Sequence, residues 1–191
     1  MRRVTLADIK TLANQAKANL EQSAKQLSRP VVIYAHWTAG HYEQLFEDYH
    51  ISISGNGAVY VSVDNLSTQL SHTYRRNGGA IGIALCCAYE ANSTTSLGPE
   101  PPTDIQIEAL AQVVVTLSTA LEIPINIGHV MTHAEAADNM DGDDRWHEPY
   151  GPKSTVERWD LWVVRAGDEP GSGGTIIRGK ALWYQRNGVG I

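Results

Sequence analysis

The sequence predicts an α/β fold, with a mixed central β-sheet flanked by helices on both faces. The apolar run AIGIALCCA, which begins at Ala80, is typical of a strand buried on both faces of a sheet. Short strand-like runs also alternate along the chain with two long amphipathic segments. A length of 191 residues suits one domain. We expect an N-terminal helix within residues 1–29, a core over 30–165 and a C-terminal extension over 166–191.

The N-terminal segment predicts an amphipathic helix from about Thr5 to Gln26. Apolar residues recur there at helical spacing, and Thr5 is a suitable N-cap. Pro30 follows and stops the helix. A helix that packs on the core explains this pattern, and a partner-binding helix is the alternative.

Short strands are predicted after this helix. The apolar run Val31–His36 indicates a strand, and YEQLFEDY, which follows, suits one or two helical turns. HISIS and AVYVSV alternate polar and apolar residues on either side of Gly55-Asn56-Gly57, which predicts a β-hairpin. An antiparallel hairpin among strands that alternate with helices predicts that the sheet is mixed.

A second long helix is predicted after Pro101-Pro102, where Thr103 precedes a broad apolar stripe. Pro124 ends this helix, and INIGHVMTH predicts the next strand, with His133 at its end.

The remainder of the chain predicts two irregular segments and a terminal β element. Residues 138–152 are expected to form a loop, and residues 167–174 a flexible joint, because both are rich in turn-forming residues. The segment TIIRGKALWYQ, from Thr175, predicts an appended strand or hairpin, so the C-terminal extension is expected to be a β extension.

Composition excludes several functional classes. A net charge of −6 argues against nucleic acid as the main partner, since phosphate binding needs clustered basic residues. No apolar stretch approaches the ~18–20 residues that a membrane span needs, and no apolar segment follows MRR, so we expect no secretory signal. The adjacent Cys86 and Cys87 are expected to be buried strand residues rather than redox or metal-binding groups.

Three potential metal ligands lie far apart in the sequence: His36, His133 and Asp160. Two neutral imidazoles and one carboxylate leave a zinc ion with a fourth position for water, which is the pattern of catalytic sites. His129 is an alternative to His133 as the second metal ligand. In an extended strand it would lie about 13 Å from His133, at the far end from the predicted ligand position, so we favour His133.

The chain resembles a known enzyme family in six ordered sequence words. These are HWTAG, YHISISGNGAVY, SHTYRRNGGAIGIAL, PPTDIQIEALAQVVVTL, THAEAAD and RWD. In this order they resemble the zinc-dependent N-acetylmuramoyl-L-alanine amidases, a family that includes phage lysozyme-amidases and peptidoglycan recognition proteins. The resemblance covers roughly residues 30–162 and leaves out the N-terminal helix and the segment after about 165. It implies a mixed sheet surrounded by helices, with zinc in a groove on one face.

The resemblance also implies a ligand set and a reaction. His36 and His133 match the family's two histidine ligands, and Asp160 matches a third ligand that is Cys or Asp. A Lys commonly lies two positions before the third ligand, where this chain has Arg158. Arginine stays protonated, so Arg158 would stabilise an oxyanion rather than act as a general acid. The implied reaction hydrolyses the amide between the lactyl group of N-acetylmuramic acid and L-alanine.

Two further catalytic candidates follow from the same resemblance. Tyr49 matches a tyrosine that lies beside zinc in some phage members, where a phenol would orient the water or donate a hydrogen bond to the oxyanion. Another branch has a catalytic Glu in the word IGIEL, but this chain has IGIAL, with Ala84 at that place. Glu135, two residues after His133, would be a substitute for that Glu or would contact a metal ligand from outside the site.

Substrate contacts are expected from three residues. The resemblance implies a position near the substrate for His72, in SHTYRRN, and Trp37 follows the first ligand in HWTAG. Asn77 is a further candidate, although it is equally suited to fixing a turn before the next strand.

The loop between the second and third ligands is unusually long, with 27 positions from 133 to 160. Its aromatic and acidic residues would recognise sugars and amino groups of the substrate, or the loop would be a solvated lid. These residues are Asp141, Asp143, Asp144, Trp146, His147 and Tyr150. Two alternatives stay open. One is a calcium site built from Asn139, Asp141, Gly142 and Glu148, and the other is His147 as an extra zinc ligand.

The sequence therefore predicts a single-domain zinc amidase that acts on peptidoglycan or muropeptides, of the phage or prophage endolysin type. We expect synthesis in the cytoplasm and release to the wall by a holin-type route. The alternatives are a non-catalytic peptidoglycan-binding module, a cytoplasmic muropeptide-recycling amidase and an interbacterial toxin. Oligomeric state is not predicted.

Overall fold

The computed structural model describes residues 1–143, 145, 148–153 and 158–188. These residues form six strands: β1 (Arg2–Arg3), β2 (Val32–Trp37), β3 (Ile51–Ile53), β4 (Val59–Val61), β5 (Ala80–Leu85) and β6 (Val130–Thr132). They also form four helices: α1 (Leu6–Gln26), α2 (Asp104–Leu121), α3 (His133–Ala137) and α4 (Gly173–Asn187).

The six strands form one mixed sheet in the order β1-β4-β3-β5-β2-β6. β2 pairs in parallel with β5 and β6, β3 pairs in parallel with β5, and the β3–β4 hairpin and the short β1 are antiparallel. The predicted mixed sheet, the hairpin and the central position of AIGIAL are thus confirmed. Because β2 and β6 are parallel neighbours, the residues that follow their carboxyl ends lie at the same edge of the sheet.

Alternate residues of β2 face two different layers. Ile33, Ala35 and Trp37 belong to the main hydrophobic core, which also contains the buried faces of α1, α2 and α4. Val32 and Tyr34 face the opposite side, where Ala136 of α3 joins a smaller cluster. Helices therefore lie on both faces, as predicted, but three long helices cover one face and the short α3 lies on the other. His36 shares the α3 side by strand alternation.

Three of the four described helices, α1, α2 and α3, have the same N-cap structure. Thr5, Thr103 and Thr132 each accept a hydrogen bond from the backbone N–H three residues later, and the side chain at that position returns a bond to the cap backbone. Such reciprocal capping boxes satisfy two otherwise unpaired donors at a helix start. The boundaries predicted for α1 and α2 are confirmed to within a residue or two.

Three local predictions are wrong. The C-terminal segment from Thr175 is helix rather than strand, because Ile177 and Ala181, spaced four apart, pack together into the core. YEQLFEDY contains turns but no helix, and INIGHVMTH contributes only the three residues of β6. The predicted C-terminal β extension is therefore a helix that completes the α1–α2 layer.

One described helix, α2, has the length and apolar composition of a membrane span. However, 72% of its 18-residue window is buried inside the fold. Core helices of soluble proteins pass the same test, so this is weak support for a membrane segment.

Candidate metal centre

Three separate elements position the candidate ligands at one edge of the sheet. His36 lies near the end of β2 and is fully buried, and His133 is the first residue of α3, directly after β6. Asp160 follows the long loop, and its backbone carbonyl accepts a hydrogen bond from the N–H of Ala134 at 3.3 Å. This backbone contact fixes the third ligand against the helix that begins with the second.

The three side chains bring potential ligand atoms close enough together to share one metal ion. Nδ1 of His36 lies 3.0 Å from Oδ2 of Asp160, and Nδ1 of His133 lies 3.1 Å from Oδ1 of Asp160. One ligand atom from each of the three residues lies within 4.8 Å of the others. Zinc bonds of about 2.0–2.2 Å in a tetrahedral site imply ligand–ligand distances of roughly 3.3–3.6 Å. Small shifts of these side chains would therefore accommodate zinc.

Electrostatics in the metal-free cluster favours an ionised Asp160 between a protonated His133 and a neutral His36. Burial opposes the charge on Asp160, but His133 and His36 beside it hold the pKa of this carboxyl well below its usual range. Burial likewise opposes protonation of His133, yet Asp160 and then Glu148 raise its pKa to about 9. Burial lowers the pKa of His36, so this imidazole is neutral, the form that binds metals.

His72 contacts the His36 ring on the side that faces away from Asp160. Its Nδ1 lies 3.2 Å from Nε2 of His36 and 2.9 Å from the hydroxyl of Thr73. The ring lies directly over Gly82, where an added Cβ would come within 2.8 Å of it. Asn77 accepts hydrogen bonds from the backbone N–H groups of His72 and Thr73, so it fixes the turn that presents His72. A substrate contact for Asn77 is not apparent from these bonds, and the turn-fixing alternative fits them.

A further histidine, His50, was not among the predicted site residues. It is fully buried, lies edge-on to His72 with ring centroids 5.5 Å apart, and bonds to the backbone of Gly82 and Thr68. Burial lowers its pKa to about 4. Its place in the word YHISIS, next to Tyr49, was the only sequence signal for this supporting role.

A cavity of about 370 Å³ opens beside the ligands. Trp37, Tyr49 and His72 line it together with His133 and Asp160. The ring of Tyr49 is 5.0 Å from that of His36, centroid to centroid. Burial raises the pKa of Tyr49, which keeps its phenol a neutral hydrogen-bond donor at the edge of the cavity.

A family model described as N-acetylmuramoyl-L-alanine amidase matches residues 8–149. The chain belongs to this family. Its enzymatic class is therefore that of an amidase acting on peptidoglycan, as the sequence words predicted. The match includes most of α1, which we expected to lie outside the resemblance, and it ends before Arg158 and Asp160.

The solved structures similar to this amidase include two endolysins. The N-acetylmuramoyl-L-alanine amidase LysCS from Clostridium intestinale is 19% identical, with a TM-score of 0.40 over 55% of this chain and 69% of the other. The Ph2119 endolysin of a Thermus scotoductus bacteriophage is 20% identical, with a TM-score of 0.39 over 56% and 73%. PGRP-Hd from Alvinella pompejana is 15% identical, with a TM-score of 0.39 over 59% and 83%. A comparison with curated proteins finds no match.

Arg158 of this amidase lines the cavity with Asp160 and is partly exposed. Its guanidinium carbon lies 5.4 Å from the ring centre of Tyr150, and its Nε lies 3.4 Å from a carboxylate oxygen of Glu148. The arginine thus lies between Glu148, Tyr150 and the cavity that Asp160 also lines.

Glu135 has a structural role in the amidase. Its side chain caps α3 by accepting from the N–H of Thr132 at 2.9 Å, and both of its oxygens receive hydrogen bonds of 2.8 Å from Arg178 of α4. It is 1% exposed and does not line the cavity. The prediction that Glu135 acts on the reacting groups is corrected by these contacts, because its lone pairs are engaged away from the site.

The remaining loop predictions have mixed outcomes. His129 bonds to Asn126 and lies outside the ligand group, so the choice of His133 fits the geometry. The oxygens of Asn139 and Asp141 accept from Arg76 while Glu148 faces His133, so they do not converge on a calcium ion. The predicted contributions of Asp144, Trp146 and His147 lie outside the described residues.

Proposed function

We propose that this protein is a zinc-dependent N-acetylmuramoyl-L-alanine amidase that cleaves the amide between the lactyl group of N-acetylmuramic acid and L-alanine. The observation that supports zinc is the convergence of His36, His133 and Asp160 beside an open cavity. Donor types, burial and spacing all suit a three-ligand site with a fourth position for water. When bound, zinc would polarise the amide carbonyl and lower the pKa of its water to about 7.

Tyr49 has the position and protonation state of an oxyanion donor. Its phenol stays protonated because burial raises its pKa, and its ring lies beside His36 at the cavity wall. A neutral donor aimed at the reacting carbonyl stabilises the negative charge that develops on oxygen. Another branch of the amidase family has its catalytic Glu in the word IGIEL. This chain has Ala84 at that position, and Ala84 is fully buried on β5. We therefore assign the hydrogen-bonding role to Tyr49.

Arg158 adds a fixed positive charge at the same cavity. An arginine side chain does not serve as a general acid, so its contribution is electrostatic. Trp37 and His72 also line the cavity. Nε2 of His72 is buried and Nδ1 faces His36. We therefore propose that His72 orients the candidate metal ligand His36 and that Trp37 contacts the substrate.

We propose further that the protein is an endolysin-type enzyme that acts on the intact cell wall after release from the cytoplasm. The family membership supports peptidoglycan as the substrate.

A wall-solubilisation assay with metal control tests the proposal. Dye-labelled walls should release soluble fragments with the zinc-loaded enzyme, lose that release after chelation and regain it with added zinc. Mass spectrometry of the fragments should show new L-alanine amino termini and no new reducing sugar ends. Release that is unaffected by chelation contradicts the metal mechanism, and new reducing ends contradict the amidase chemistry.

His133→Ala separates catalysis from binding. This variant should still sediment with walls but not solubilise them, whereas failure of the wild type to solubilise would favour a binding module. Parallel assays on intact walls and on soluble anhydro-muropeptides distinguish an endolysin from a recycling enzyme, since a recycling enzyme would prefer the soluble substrate.

A further inference from the structure

Glu148 is a buried carboxylate in the loop between the second and third candidate ligands. Only 2% of its surface is exposed. Its Oε2 lies 3.4 Å from Nε2 of His133, and its Oε1 lies 3.4 Å from Nε of Arg158. Within the described part of the chain, neither oxygen makes a hydrogen bond, and Nε2 of His133 makes none either. Burying such groups unbonded is costly, so their juxtaposition indicates a bond that forms when the site is completed.

We propose that Glu148 is a positioning residue for the metal ligand His133. The inference rests on the proposed function, in which Nδ1 of His133 binds zinc. Nδ1 is 3.1 Å from Asp160, so Nε2, on the other side of the ring, faces Glu148. A histidine that binds a metal through one nitrogen keeps a proton on the other. A carboxylate that accepts this proton's hydrogen bond fixes the tautomer and the ring orientation and makes the ligand more basic.

The two histidine ligands differ in their outer partners. Nε2 of His36 faces another imidazole, His72, at 3.2 Å. Nε2 of His133 faces a carboxylate, with Arg158 next to it. Glu148 therefore adds a negative charge behind one ligand only, and the adjacent guanidinium offsets that charge. Arg158 thus has a second task, which is to hold Glu148 in place.

The loop is fastened to the core on the side that precedes Glu148. Arg76 is 1% exposed and donates to Asp141 at 2.5 Å and to Asn139 at 3.0 Å. After Glu148, Tyr150 lies against the guanidinium of Arg158. The long segment between His133 and Asp160 gives the chain enough length to fold back and place the Glu148 carboxylate beside Nε2 of His133. Through Glu148, the described part of the loop would contribute to the metal centre.

Zinc affinity, measured separately from activity, tests this role. Glu148→Ala removes the acceptor, and Glu148→Gln keeps the size and a neutral acceptor. Asp143→Asn is the matched control, since it removes a carboxylate from the same loop that pairs with Arg145 and not with a ligand. Competition with a chromophoric chelator gives the zinc Kd, the visible spectrum of the cobalt(II) form reports ligand geometry, and circular dichroism verifies folding.

We expect zinc affinity to fall about 100-fold in Glu148→Ala and about 10-fold in Glu148→Gln, with an altered cobalt spectrum in both. Asp143→Asn should bind zinc like the wild type. Wild-type zinc affinity in folded Glu148→Gln and Glu148→Ala overturns the proposal, as does an equal loss in Asp143→Asn. If the wild type binds no zinc, the metal part of the proposed function fails as well. If the wild type binds zinc and solubilises walls while the Glu148 variants bind zinc equally, only the role of Glu148 is wrong.

Discussion

Nδ1 of His36 lies 3.0 Å from Oδ2 of Asp160, although 124 positions separate the two residues in the chain. The parallel pairing of β2 with β6 places His36 and His133 at one edge of the sheet. The long loop then returns Asp160 to the same point. The candidate metal centre is therefore a product of strand order rather than of a local motif.

Asp160→Asn should abolish tight zinc binding. The amide keeps the shape of the side chain but loses the negative charge, and a neutral amide is a poor zinc ligand. We expect zinc affinity to fall by at least about 100-fold, measured by competition with a chromophoric chelator. Asp48→Asn, which alters another carboxylate at the same cavity, is the control and should retain zinc. Equal affinities in the two variants would remove Asp160 from the ligand set.

Tyr49→Phe should reduce turnover without weakening zinc binding. Loss of one oxyanion donor lowers kcat by about 10²- to 10³-fold in other enzymes, and KM should change little. Tyr60→Phe, on β4 and outside the cavity lining, is the matched control. Rates of dye release from labelled walls, at several substrate concentrations, separate kcat from KM. If Tyr49→Phe keeps the wild-type kcat, Tyr49 is not the hydrogen-bond donor to the oxyanion.

Glu135→Gln and Arg178→Met should destabilise the protein to similar extents. Each breaks a buried, doubly hydrogen-bonded ion pair by removing one partner, which costs about 3–5 kcal/mol in other proteins. Urea unfolding measures the loss, and activity per folded molecule should stay near that of the wild type. If Glu135→Gln were inactive while Arg178→Met stayed active at equal folding, Glu135 would act on the reaction after all.

Gly82→Ala should disturb His36 through His72. The added methyl group would meet the His72 ring at 2.8 Å, and it has no room because both residues are buried. We expect a loss of about 1–3 kcal/mol in stability, together with weaker zinc binding. Gly179→Ala in α4 is the control, since nothing lies within 4 Å of its added Cβ. That change should stabilise the helix by about 0.5–1 kcal/mol. An unaffected Gly82→Ala variant would mean that His72 can move without cost.

The stability of the metal-free protein should fall as pH rises from 7.5 to 8.5, where the buried His36, His50 and His72, whose pKa values are lowered, are neutral in the folded and unfolded states alike. The pKa of His133 is about 9 in the folded protein, above its ordinary value of 6.5. In this interval the folded state therefore keeps a proton that the unfolded chain has released. The stabilisation is complete below pH 6.5 and is lost as pH rises through 9, with a slope of up to about 1.4 kcal/mol per pH unit.

Thermal unfolding in the presence of a chelator, at several pH values, measures this slope. Saturating zinc should remove it, because the metal replaces the proton on His133. His133→Gln lacks the titrating group and should show a flat profile between pH 7.5 and 8.5. A slope that persists in this variant would assign the titration to another residue.

The elements with strong local signals were predictable from the sequence. Thr5 and Thr103 precede regular apolar stripes, and a capping threonine followed by such a stripe allows few other structures. The Gly55-Asn56-Gly57 turn is similarly specific for a hairpin. The ligands followed from strand ends and from the ordered words around them.

The segment from Thr175 was not predictable in the same way. Its β-branched and aromatic residues favour a strand locally, but the four-residue spacing of Ile177 and Ala181 fits the helical layer that already covers the sheet. Tertiary packing therefore overrides local preference there. Glu148 was also missed as a partner of His133, because the 15 positions between them follow no period and its burial arises only when the loop folds back.

The origin of the ligands on three distant elements has a consequence for how the protein is made. No fragment that ends before Asp160 contains the complete candidate ligand group, so a growing or half-folded chain would not hold a metal ion at full strength. Contacts between residues so distant in sequence form slowly. Since metal that binds only the native state adds its binding free energy to the stability of that state, zinc uptake would report that folding has finished.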